Sequence, residues 1–120
     1  MAGDFIEQAQ AAMRAHTQWK ARLNKAIETG SSEFVVDVVR LDDRCDFGKW
    51  LHGQAGSTDP HYVEVKRLHA EFHTEAARIL ALAVGGKPAE ATAAMAPRTP
   101  FTRASASLVL ALTAWERAAA

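Results

Sequence analysis

The chain has 120 residues, and its 14 Lys and Arg balance its 14 Asp and Glu, so the formal net charge is zero. That length suits a single domain over residues 1–120. The charge balance removes the simplest electrostatic case for nucleic acid or an anionic membrane as partner. No apolar run reaches the roughly 18 residues of a membrane span. Met1 to Gln10 carries Asp4 and Glu7 and lacks the basic and apolar regions of an export signal. Cys45 is the only cysteine. A lone thiol without an export signal fits a reducing, cytoplasmic setting and excludes an internal disulfide.

The first predicted element is a helix from about Asp4 to about Thr29. Asp4 and Glu7 read as a capping-box variant, and Gly30 supplies the stop. Ala9, Ala12, His16, Trp19, Leu23 and Ala26 step by three and four along one apolar stripe, with His16 in its middle. Phe34 to Arg40 is rich in β-branched residues and reads as an extended connector. A short helix is expected from about Arg44 to about His52, capped by Asp42 or Asp43. Gly53, Gly56, Ser57 and Thr58 mark a loop. Asp59-Pro60 opens a long helix to about Val84, and Gly85-Gly86 ends it. Tyr62, Val65, His69, Phe72, Ala76 and Ile79 form its stripe. Pro88 starts a short helix that ends before Pro97. Thr99-Pro100 starts the last one, with Phe101, Ala104, Leu108, Ala111 or Leu112, and Trp115 on one face. The expected fold is all-α, a four-helix-bundle-like domain with an additional short helix that carries the cysteine.

Three histidines fall on core-facing stripes or beside them. His69 and His73 are four residues apart on one helix, so both imidazoles reach one point. His16 lies on a second helix, and Cys45 lies in the first turn of a third, where a helix N-terminus favours the thiolate that metals bind. Three neutral imidazoles and one thiolate make a closed tetrahedral set that suits Zn2+. The plainer alternative is that each histidine is a hydrogen-bonded core residue and Cys45 a small buried hydrophobe. His52 and His61 lie among polar, loop-like residues and are expected at the surface.

Cys45-Asp46-Phe47-Gly48-Lys49-Trp50-Leu51 resembles the signature of the chemoreceptor zinc-binding (CZB) domain family. That signature has a Cys, one variable residue, Leu or Phe, Gly, a further residue, Trp and an apolar residue. His16 before Trp19-Lys20, and the pair His69 and His73, also follow the family's order. The resemblance covers roughly residues 5 to 112. It implies that His16, Cys45, His69 and His73 ligate zinc, that Gly48 permits close backbone approach, and that Trp50 and Trp19 pack around the site. It further implies a homodimer that serves bacterial signal transduction. Its output would pass to a chemoreceptor or a cyclic-di-nucleotide synthase, either a separate signalling protein or the remainder of a larger protein from which this domain comes. It implies sensing of zinc or of an oxidant such as hypochlorous acid, with Cys45 as the redox switch, and no enzymatic activity.

Other classes fit less well. Carboxylate di-iron bundles need a Glu three residues before a His, and no Glu here has that spacing. A Cys–His hydrolase needs one base and an oxyanion hole, whereas three histidines accompany Cys45 and no Gly-rich oxyanion element stands out. A phosphotransfer bundle needs an exposed His, but His16, His69 and His73 lie on apolar stripes. A zinc-stabilised helical interaction module with a purely structural metal uses the same four ligands and stays open.

Overall fold

The computed structural model describes residues 2–42, 44–53 and 58–119. Among them the fold is all-α, with six helices and no strand. These are α1 (Ala2–Thr29), α2 (Val36–Val39), α3 (Asp46–His52), α4 (Pro60–Val84), α5 (Pro88–Ala94) and α6 (Pro100–Ala119).

Helix α4 is the axis of the packing, with α6 and α1 laid along it and α2, α3 and α5 closing its sides. Its start follows directly from the sequence. Pro60 takes the first helical position, and the Asp59 carboxylate accepts the His61 N–H at 2.9 Å, which satisfies one of the orphan donors of a helix start. The helix stops at Gly85, and Gly86 turns the chain with φ +79, a conformation that costs glycine little. Gly30 ends α1 in the same way, with φ +72. Thr99 and Thr102 open α6 by exchanging bonds, the Thr99 N–H donating to Thr102 Oγ1 at 3.0 Å.

The apolar stripes meet as their spacing requires. Phe72, Ala76 and Ile79 of α4 are fully buried, as are Phe101, Leu108 and Leu112 of α6 and Leu23 of α1. Phe72 and Phe101 join the α4 and α6 stripes, with ring centroids 5.4 Å apart. Of the two residues considered for the α6 stripe, Leu112 is buried and Ala111 only half-buried.

Three local expectations are corrected. α1 begins at Ala2, ahead of the Asp4 cap that the sequence suggests; the Asp4 side chain lies outside the described residues. Part of the segment read as extended forms the single-turn helix α2, with Val39 N–H donating to Val35 O at 2.9 Å and Arg40 N–H to Val36 O at 3.1 Å. β-propensity is weak and follows context; no strand pairs with these valines among the described residues, and burial of Val39 against the bundle decides the local conformation. α3 starts at Asp46, not Arg44, and its cap is Cys45, whose sulfur accepts the Gly48 N–H at 3.2 Å. Asp42, one of the expected caps, instead bonds His52 Nε2 at 3.2 Å. Asp43, the other, lies outside the described residues, as do Gly56 and Ser57.

Candidate metal centre

Helix α4 supplies the fixed half of the site. His69 and His73 sit one turn apart on its buried face, 0% and 2% exposed, and their Nε2 atoms are 3.1 Å apart. The turn into α3 supplies the other half. Cys45 Sγ lies 3.4 Å from His69 Nε2 and 3.6 Å from His73 Nε2. The thiol is only half-buried, unlike the two imidazoles.

The protonation states follow from the surroundings. His73 Nδ1 is 2.9 Å from the Val39 carbonyl oxygen. A carbonyl only accepts, so Nδ1 carries the hydrogen and Nε2 presents its lone pair to the cluster. Burial holds the His73 pKa below its ordinary 6.5, against the opposing pull of the Val39 bond and of the nearby Asp42 charge. The imidazole is therefore neutral at neutral pH, the form that binds a metal. The Gly48 N–H on the sulfur strengthens when the sulfur is thiolate.

This donor set fits zinc. Bond lengths of about 2.0–2.1 Å to nitrogen and about 2.3 Å to sulfur put tetrahedral neighbours about 3.3 Å apart for two nitrogens and about 3.6 Å apart for nitrogen and sulfur. The observed separations of 3.1, 3.4 and 3.6 Å lie within a few tenths of an ångström of those edges. Two imidazole nitrogens and a sulfur that converge this closely in a buried place repel one another unless a cation or a proton lies between them. Among the described residues, Cys45, His69 and His73 are the group able to hold a metal ion.

The structure thus brings together three of the four residues singled out in the sequence. His16 is on α1, and by helical spacing it shares a stripe with the buried Trp19 and Leu23; its side chain lies outside the described residues. Gly48 is buried beside the sulfur. Trp19 is buried against Phe34, with ring centroids 5.2 Å apart, and the Arg22 guanidinium lies 5.0 Å from the indole. Trp50 stacks on Phe47 at 5.8 Å and leans on Trp115 at 6.0 Å. His52 and His61 stay outside the cluster, each about two-fifths exposed and each bonded to an aspartate.

Two contributors were not singled out from the sequence. Phe47 has its ring against a site imidazole, edge-on to His69 at 5.2 Å. Its place two residues after Cys45 is the signal that could have marked it. The other is the Val39 carbonyl, a backbone group that no residue pattern announces.

A buried pair of imidazoles with a capping thiol, held on an α4-centred helical bundle, defines a helical metal-binding domain. A scan against family models matches residues 16–80 to the chemoreceptor zinc-binding domain. That is more than half of the chain, and the chain belongs to this family. The match is narrower than the 5–112 expected, yet it runs from His16 to Leu80 and includes all four singled-out residues. Zinc is the cofactor of the family and the metal that the cluster suits. Comparisons with curated proteins and with solved structures gave no match. No helix among the described residues is long and apolar enough to cross a membrane.

Proposed function

We propose that this chain is a zinc-dependent regulatory module, not an enzyme, in which His16 completes a site with Cys45, His69 and His73. The observation that carries the reading is the convergence of Cys45 Sγ, His69 Nε2 and His73 Nε2 within 3.1–3.6 Å of one another. When bound, zinc supplies a cross-link between α4 and the Cys45 turn, and so couples occupancy to helix packing. Four protein ligands close the coordination sphere and leave no position for a substrate.

The sensing role rests on an asymmetry among the ligands. Both imidazoles are buried, whereas Cys45 is half-buried and is the one redox-active ligand. A hypochlorous acid molecule that reaches the sulfur takes two electrons from the thiolate. Its oxygen ends on sulfur as sulfenic acid, and chloride leaves. The sulfenic sulfur is a poorer ligand, and the Cys45 turn gains freedom to move. In this reading the module works as a cytoplasmic homodimer in bacterial signal transduction, including chemotaxis. It hands the change to a chemoreceptor or a cyclic-di-nucleotide synthase. A purely structural zinc would use the same ligands, and the half-exposure of Cys45 favours the sensor over it.

The test measures bound zinc and helix content before and after one equivalent of hypochlorous acid, in the parent and in Cys45→Ser. The parent should release zinc and change its helix content, while Cys45→Ser should not respond. Equal responses of the two proteins would contradict the redox switch.

A further inference from the structure

The single-turn helix α2 lies against α4, with Val36 and Val39 packed on the core. It is four residues long and keeps one side chain, Val39, buried. Such a turn is unstable alone, because one or two hydrogen bonds do not offset the cost of ordering it. Its last carbonyls also lack partners within the helix. Val39 is the last residue of α2, and its carbonyl faces His73 Nδ1 at 2.9 Å.

The rest of this strap is tied down around the same site. Three residues after Val39, the Asp42 carboxylate holds His52 Nε2 at the end of α3. Cys45 follows, caps α3 and meets both histidines. The two ends of the strap therefore meet the same imidazole at opposite nitrogens, the Val39 carbonyl at His73 Nδ1 and Cys45 Sγ at His73 Nε2. Helix α4 alone cannot fix which His73 nitrogen carries the hydrogen; the strap does so.

We propose that α2 is part of the zinc site, with the Val39 carbonyl as a positioning group that holds His73 as the Nδ1–H tautomer and so sets zinc affinity. This rests on the zinc reading above. An acceptor on the far nitrogen of a ligating histidine orients the ring and raises its basicity, and losing such a partner typically lowers metal affinity about 10–100-fold. The position of α2 then governs how tightly zinc is held, and by reciprocity zinc governs how firmly α2 is held.

The test weakens that one carbonyl and leaves every side chain in place. Full-length chain is assembled by ligation at Cys45 with the Val39–Arg40 peptide bond replaced by an ester, which makes the Val39 carbonyl a poorer acceptor and removes the Arg40 N–H bond to Val36 O. The control ester replaces the Asp37–Val38 bond and removes the comparable Val38 N–H bond to Val35 O. The first ester should raise the zinc Kd about tenfold, and the control should stay within about twofold of the parent on the same scale. Equal Kd values for parent and first ester, or equal losses in both esters, would overturn the proposal. Nitrogen-15 spectra of the unmodified zinc-loaded protein give a second reading, with His73 protonated at Nδ1 expected and protonation at Nε2 overturning it. If the parent itself binds no zinc, the zinc reading fails first and is recognised as a separate result.

Discussion

Helix α4 and the segment from Phe34 to His52 meet at one cluster, and they reach it by opposite means. α4 has 25 residues, a capped start, a glycine stop and a fully packed stripe, so His69 and His73 are placed by the bundle core itself. The other segment has two helices of four and seven residues, each anchored by short-range packing of Val39, Phe47 and Leu51 on the core. Its ligand, Cys45, is half-buried and sits on a turn. Under the proposed function the difference pairs permanence with response: two candidate ligands seated in the bundle core and one on a half-buried turn. The segment seats Val39, Phe47 and Leu51 in the core, but its oxidisable atom lies on the half-buried turn before α3.

The largest expected effect on metal binding comes from the fixed half. His69→Ala and His73→Ala should each weaken zinc by more than the roughly 100-fold that follows loss of a partner which only orients a ligand. A competition titration against a chelator of known affinity checks this. A variant that keeps parental affinity would show that α4 does not provide the anchoring half. Cys45→Ser should weaken zinc less than these two and remove the response to oxidant.

Stability should divide along the same line. Phe72→Ala leaves a large cavity where α4 meets α6 and should cost about 3–5 kcal/mol, read by denaturant unfolding of the metal-free protein. Val39→Ala trims the one buried side chain of α2 and should cost about 2 kcal/mol at most. If the two costs come out alike, the strap is as much a part of the core as α4.

The smallest effect lies at the start of α4. The Asp59 carboxyl is held below its ordinary value of 3.8, chiefly by the His61 backbone N–H. Its folded-state value is depressed, so its contribution is present above 3.8 and is lost as pH falls through the lower folded value. Asp59→Asn can still cap the helix and should flatten this acid limb of the stability curve without changing zinc affinity. A change in zinc affinity would tie this helix start to the metal site.

Much of α4 could be read from residues alone. Asp59-Pro60, the stripe from Tyr62 to Ile79 and Gly85-Gly86 each encode a local rule, and all agree. The pairing of His69 with His73 followed from helical spacing, and the meeting of both with Cys45 was implied by the family resemblance that the Cys-x-Phe-Gly-x-Trp motif carries. The strap resisted reading for physical reasons. Its valines favour extended backbone when considered alone, whereas burial of Val39 on the bundle and the bond of its carbonyl to His73 decide in favour of a helical turn. Cysteine is not among the favoured caps, so two aspartates competed for a role that the sulfur performs. The Val39 carbonyl could not be read at all, since every residue carries one.

X-ray absorption at the zinc edge of the protein as purified tests the four-ligand site most directly. One zinc per chain is expected, with one sulfur neighbour at about 2.3 Å and three nitrogen neighbours at about 2.0–2.1 Å, and with one nitrogen replaced by a water oxygen in His16→Ala. A zinc shell without sulfur, or a folded protein that takes up no zinc, would contradict it.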